Sequence, residues 1–335
     1  MKFETASNTP GIDAGQPAPP PCRGWVASRI ANLSTAQLQT IGAWIGGLLY
    51  LLAHPLRRVA RSNIQFIHPD WTRHRKREFL KHVFRHYGTM LIEMVQLSCL
   101  SKEEYNRRNR HIQGAENFLQ ALQAGRGVII ISGHLGNWET GFQLSALYFE
   151  TPVTGVAKAM KLRSFNQYLH NFRTRFGNRL LYKAGAFPEM RQTLREGGVV
   201  AFLMDMPRQK EGIPINFLGH PATATRAAAL LARRCKSPVI PTFCIRDADG
   251  RLTLRIEPPV ALRRTQDIHT DLEFNTQLLT DVIAKAVQRN PEQWFWMQKR
   301  WKSFHPELYP DYFRAQKNRR GKKRAKPARE ARGVR

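Results

Sequence analysis

The sequence predicts an α/β fold: a largely parallel central sheet flanked by helices, with an N-terminal membrane-associated helix. Three observations predict it. Short, continuous apolar runs such as "GVIIIS" (127–132) and "VVAFLMD" (199–205) have the composition of strands buried on both faces. From about residue 111, amphipathic helices alternate with such runs, the rhythm of a parallel sheet covered by its own crossovers. Upstream of that alternation, residues 31–56 contain no Asp, Glu, Lys or Arg.

Taken in order, residues 1–30 form a flexible arm by composition, rich in Pro, Gly and Ser ("NTPGIDAGQPAPPP"). No basic segment leads into an apolar one and a cleavage site there, so no cleaved signal peptide is expected. Residues 31–65 are the membrane-associated segment. Its apolar centre, Ile41 to Ala53, is 13 residues long, against about 20 for a spanning helix. It fits a short span, a helix lying in the interface or an ordinary core helix. Arg57, Arg58 and Arg61 follow and suit anionic headgroups on the cytoplasmic side. Residues 72–99 have helical periodicity, with Phe79, Leu80, Val83, Tyr87, Met90 and Leu91 on one face. "SKEE" at 101–104 is a capping box.

The alternating body runs from 66 to 313. "AENFLQALQAG" is a helix closed by Gly125, and "GVIIIS" is a strand. A helix from Asn137 to Phe149 leads to the strand "VTGVA", the helix "SFNQYLHNFRTRFG" and the strand "RLLY". The helix "FPEMRQTLREGG" precedes "VVAFLMD". "TATRAAALLARRC" (223–235) is a helix leading into "PVIPTFCIRD"; the strand "RLTLRIEPPV" follows, then helices over 270–299. Residues 314–335 carry eleven Lys or Arg against one Glu and form a disordered basic tail.

Hydrophobic residues make up 42% of the 335, enough for a sizeable core. The net charge of +28 is only partly the tail's, so the body is basic too and anionic partners are expected. The four cysteines are scattered, without a CxxC or Cys/His cluster, which argues against structural zinc and a disulfide framework and for a reducing compartment.

The chemistry concentrates in "ISGHLGNWET" (131–140). In parallel sheets, ligands gather at the carboxyl ends of strands. His134 lies just past the "VIII" run, between Gly133 and Gly136, and Glu139 falls in the first turn of the next helix. A carboxylate bonded to one imidazole nitrogen leaves the other as a base suited to deprotonating a hydroxyl. The same residues also fit a plain helix cap with a carboxylate favoured by the helix dipole.

"GHLGNWE" resembles the H-x4-D/E motif of glycerolipid-type acyltransferases, and most closely the lipid A biosynthesis acyltransferases. The resemblance spans about residues 38–305. It includes "RSNIQFIHP", "NFRTRFGNRLL", "GGVVAFLMDMPRQKEGIPINFLGHPATAT" and "PEQWFWMQKRWK". The family implies transfer of a fatty acyl chain from acyl carrier protein, as co-substrate, to a hydroxyl of a lipid A precursor. No other cofactor and no metal are implied. The place is the cytoplasmic face of the inner membrane. Carried over by position, His134 is the general base and Glu139 its orienting partner. Arg173, or Arg175 beside it, would hold a phosphate or the oxyanion, aided by amides near Gly136. Asn137, Asp205, Gly219 and Thr223 would bind substrate, with "FLGHPATAT" as a loop over the cleft. Arg226 departs from the small residue usual after the Thr run, which leaves acceptor or chain preference open. The implied partners are acyl carrier protein, a phosphorylated glycolipid acceptor and an anionic membrane surface, with no specific nucleic acid. Another lipid acceptor (lysophospholipid, aminolipid or other glycolipid) stays open, as more distantly does a basic nucleic-acid-binding protein. In "WFWMQKRWK", Trp294, Trp296 and Trp301 fit core packing, an aromatic membrane belt or stacking on bases.

Overall fold

The computed structural model describes residues 24–108, 111–157, 162–182, 186–208 and 212–314. Residues 1–23 of the arm and 315–335 of the tail lie outside them. The end of the arm is helical: α1 is Trp25–Ala31.

The apolar N-terminal stretch forms α2 (Thr35–Leu52), opened by a capping box in which Ser34 and Gln37 exchange side-chain-to-backbone bonds. Its continuation is α3 (His54–Ile67), with Pro55 in its first turn and a bend of 92° between the two. Proline is tolerated only in the first turn of a helix, so His54-Pro55 starts a new one. Among the described residues no single helix is long and apolar enough to cross a membrane, although the bent pair passes by length and composition.

The long helix α4 (Arg73–Cys99) is capped by Thr72 and receives α2 along a seam of glycines. A Cβ at Gly88 would lie 2.0 Å from the carbonyl oxygen of Gly42, and one at Gly46 would lie 2.4 Å from that of Phe84. Backbones this close tolerate no side chain. Trp44, Leu48, Leu51 and Leu52 on α2 are left exposed, Trp44 by 78%. The predicted capping box closes as Ser101 and Glu104 bond each other's amides, opening α5 (Lys102–Arg108).

The strands of the main sheet are β1 (Ile112–Gln113), β2 (Val128–Ser132), β3 (Val153–Ala157), β4 (Arg179–Tyr182), β5 (Val199–Leu203), β8 (Val239–Arg246) and β9 (Leu252–Ile256). They form one sheet in the order β1-β9-β8-β2-β5-β3-β4. From β8 to β4 all neighbours are parallel; β9 returns antiparallel to β8 and carries β1. The helices α6 (Ala115–Gln123), α7 (Trp138–Phe149), α8 (Arg163–Thr174), α9 (Ala186–Arg195), α10 (Ala227–Cys235) and α11 (Ile268–Arg289) flank it. Central β2 is buried on both faces, as its unbroken aliphatic run requires. The sheet is therefore mixed but mostly parallel.

Two segments differ from expectation. Residues 212–225 form an antiparallel hairpin, β6 (Gly212–Phe217) and β7 (His220–Thr225), so the helix expected from Thr223 begins at Ala227. Leu218 and Gly219 at its tip both have positive φ, 52° and 85°, matching a two-residue turn whose twist suits the strands. The helical ending expected to 299 stops at Arg289; after a short turn at Pro291–Gln293, the "WFWMQKRW" segment is irregular.

Candidate active site

The register of the two central strands assembles the site. β2 pairs with β5 residue for residue, ending with Ser132 opposite Leu203. Two residues further along each chain stand His134 and Asp205. Asp205 accepts two bonds from His134: Nδ1 to Oδ1 at 2.7 Å, and the backbone N–H to Oδ2 at 2.9 Å. The carboxylate is fully buried, and the imidazole keeps 20% of its side-chain surface exposed. Oδ2 accepts two further bonds, from Trp294 Nε1 at 2.8 Å and Gln298 Nε2 at 3.1 Å. Burial works to raise the carboxyl's pKa, but the charge of His134 and the donated bonds outweigh it and hold Asp205 down to about 2. With Nδ1 turned to Asp205, Nε2 is the nitrogen left for substrate. The rings of Trp138 and Phe295 stand 5.1 and 6.1 Å from the imidazole, centre to centre.

The loop carrying His134 is fixed on three sides. Gly136 has φ 64°, and a Cβ there would lie 2.0 Å from the Cys244 carbonyl oxygen, so only glycine fits. Its N–H donates to Gln293 and the N–H of Asn137 to Cys244, while Phe295 N–H donates to the His134 carbonyl. From below, His86 on α4 meets the Gly136 carbonyl at 3.2 Å. Burial pushes the His86 pKa down to about 3, with Arg246 adding to the effect, so the ring is neutral and donates through Nε2.

Glu139 does not contact His134 by hydrogen bond. It accepts from Arg173 twice, Nε to Oε2 at 2.8 Å and Nη2 to Oε1 at 2.5 Å, and from Trp138 Nε1 at 3.1 Å. Burial works to raise the Glu139 pKa, yet Arg173 more than offsets this and holds it below the usual carboxylate range. The expectation that Glu139 orients His134 is thus corrected: Asp205, expected to bind substrate, occupies that position. The helical rise after Asn137 carries Glu139 to α8, where a bidentate guanidinium satisfies it.

The sequence profile of the family described as "Bacterial lipid A biosynthesis acyltransferase" matches residues 25–303. The chain belongs to this family. Lipid A biosynthesis acyltransferase of Haemophilus influenzae is 22% identical over 278 residues, covering 82% of each chain. Lipid A biosynthesis lauroyltransferase of Escherichia coli is 20% identical over 288 residues, 85% of this chain and 91% of the relative. Phosphatidylinositol mannoside acyltransferase of Mycobacterium tuberculosis is 26% identical over 220 residues, 64% of this chain and 67% of the relative.

Within this lipid A acyltransferase family member, the other expected site residues separate. Asn137 is wholly buried and both ends of its amide are engaged: Oδ1 accepts from Thr140 N–H at 3.0 Å, capping α7, and Nδ2 donates to Glu93 at 2.9 Å. It holds the loop, with both ends of its amide turned to protein groups. Arg175 donates to the carbonyls of Leu97 and Leu100, closing the end of α4 far along the chain from the motif. Thr223 Oγ1 accepts from Arg208 N–H and meets Ser303 Oγ at 3.3 Å, which ties the hairpin to the C-terminal segment. Gly219 sits at the hairpin tip, lining a cavity of about 270 Å³ against α11. The amides of Gly136 and Asn137 are spent on carbonyls, so the first-turn amides of α7, at Trp138 and Glu139, are the helix donors next along the chain from His134.

Four contributing residues were missed by sequence reasoning. Trp294 and Gln298 complete the shell of Asp205, and Glu93 with Arg246 forms a buried ion pair under Asn137, Arg246 Nη2 standing 2.6 Å from Glu93 Oε2. Trp294, Trp296 and Trp301 are all buried, which leaves none of these rings for a membrane belt or for stacking on bases. The signal available was the presence of amide and indole donors in a segment too polar for ordinary core.

Proposed function

We propose that this chain transfers a fatty acyl group from acyl carrier protein to a hydroxyl of a lipid A precursor, at the cytoplasmic face of the inner membrane. The observation that carries the reading is the His134–Asp205 pair at the ends of adjacent parallel strands, in a chain of this family. The acceptor hydroxyl approaches Nε2 of His134. As its oxygen attacks the thioester carbonyl carbon, the proton passes to Nε2, and buried Asp205 stabilises the imidazolium while remaining a carboxylate. The first-turn amides of α7 and the Arg173 side chain are the positive groups available to the tetrahedral oxyanion. Collapse breaks the C–S bond, and the leaving thiolate takes the proton from His134. The products are the ester and the free thiol of the carrier protein.

Charge and surface support the setting. A body that stays basic without its tail suits an acidic carrier protein, a phosphorylated disaccharide and an anionic leaflet together. The exposed stripe of Trp44, Leu48, Leu51 and Leu52 on α2, bending at 92° into a helix bearing Arg57, Arg58 and Arg61, suits seating in the interface better than a straight span.

A second acceptor class is favoured by one observation: the mycobacterial relative is named for a mannosylated phosphatidylinositol and is the more identical over its matched stretch. One experiment separates the readings. Purified full-length protein is given acyl chains on carrier protein or on coenzyme A, with a tetra-acylated lipid A precursor or a mannosylated phosphatidylinositol, and ester products are read by mass spectrometry. The proposal expects product from the carrier-protein donor and the lipid A precursor, abolished by His134→Ala. Product only with the mannoside, or an unchanged rate for folded His134→Ala, overturns it.

A further inference from the structure

We infer that Trp294 and Gln298 are positioning residues that set the basicity of the His134–Asp205 pair, with the C-terminal segment serving as the pair's clamp; the inference rests on His134 acting as the base. The segment grips the site by two routes. Its backbone brackets the loop, as Gln293 accepts from Gly136 N–H at 3.0 Å and Phe295 donates to the His134 carbonyl at 2.9 Å. Its side chains meet the carboxylate, the indole N–H at 2.8 Å and the Gln298 amide at 3.1 Å, both on Asp205 Oδ2. The second route is independent of the first.

Gln298 carries the argument furthest. It is buried, and its Oε1 has no hydrogen-bond partner among the described residues. A glutamine retained only for packing would leave a costly unpaired carbonyl and could be replaced by Met without loss. Here the donor end is placed on the one carboxylate that steers the base. The segment itself is held from α3, where Asn63 Nδ2 donates to the carbonyls of Trp296 and Gln298, each at 2.7 Å. Trp294 packs between Trp296 and Phe217, at 4.9 and 5.4 Å, which fixes the direction of its N–H.

Each donated bond spreads the negative charge of Asp205. Removing one concentrates that charge on the oxygens facing His134 and strengthens the hold on the imidazolium. The other groups acting on the carboxylate are the buried Tyr87 hydroxyl of α4 and the buried Arg300 guanidinium, which attracts it from the C-terminal side. Toward His134 the remaining charges are Glu139 and its partner Arg173. All four stay in place when Gln298 is changed.

The test uses Gln298→Met, which keeps the volume and removes the donor, and Gln298→Glu, which keeps the shape and adds charge. Two readouts are taken on full-length protein of native melting behaviour. The first is the rate at which diethyl pyrocarbonate modifies His134, followed by peptide mass spectrometry across pH, which needs no turnover. The second is the pH profile of kcat/KM for acyl transfer. For Gln298→Met, the half-maximal modification pH and the acid limb of kcat/KM move up together by about half to one pH unit, with KM within about twofold of the parent. Gln298→Glu moves both in the same direction and further. Modification and kinetic limbs coinciding with the parent in either folded variant overturn the inference. A shifted modification profile in a protein lacking acyl transfer altogether upholds it and instead counts against the proposed reaction.

Discussion

Changing Asp205 to Asn tests the site most directly. The side chain keeps its size, and its oxygen can still accept from the His134 N–H, Trp294 and Gln298, so the fold is retained. What is lost is the charge. Against the burial that would raise it, the charge of His134 and the donated bonds hold Asp205 down to about 2, so the carboxylate is ionised and its charge is what stabilises the imidazolium. An amide NH2 facing Nδ1 also forces the imidazole into the tautomer with its proton on Nε2, where it cannot act as a base. In a Ser-His-Asp triad the same swap lowers kcat by about 10⁴. The expected loss in kcat is therefore at least about 100-fold, with KM little changed, measured by single-turnover acyl transfer from the carrier-protein thioester. A folded Asp205→Asn variant within threefold of the parent would refute Asp205 as the partner of His134.

Other outcomes follow from the same geometry. Glu139→Ala leaves Arg173 unpaired in a mostly buried setting and lowers urea stability by roughly 3 kcal/mol, part of which returns in the double variant with Arg173→Ala. His86, held at about 3, is protonated in the unfolded chain below about pH 6.5 but not in the fold, so it lowers stability as pH falls from 6.5 toward 3; His86→Gln flattens that slope in urea titrations at stepped pH. Gly88→Ala drives a methyl into the Gly42 carbonyl and costs about 1–3 kcal/mol, with α2 becoming the first site of limited proteolysis.

The strands, their carboxyl ends and His134 were legible because each is local. An aliphatic run, a glycine-flanked histidine and a helix start fall within eleven consecutive residues, 128–138. Asp205 was also within reach, since it ends a neighbouring apolar run, and both it and His134 stand two residues past the last paired positions, Ser132 and Leu203. The assignment went to Glu139 because sequence proximity stood in for spatial proximity, and the arginine that claims Glu139 lies 34 residues away on α8. The hairpin at 212–225 was hidden by Pro214 and Pro221, residues that usually argue against strands, and by Ala and Thr resembling a helix start. Its exposed edges explain why prolines are tolerated there. The "WFWMQKRW" segment could not be placed from its own composition, because pairing with a loop some 160 residues earlier decides its burial.

That distant pairing orders the birth of the enzyme. β2 and β5 can align their ends as soon as residue 205 has emerged during synthesis, bringing imidazole and carboxylate together. Trp294 and Gln298 arrive about ninety residues later. Until then the loop 134–136 lacks its bracket and the carboxylate two of its four donors. A chain synthesised only through its sheet therefore holds imidazole and carboxylate in register while lacking the indole and amide that complete the carboxylate's shell.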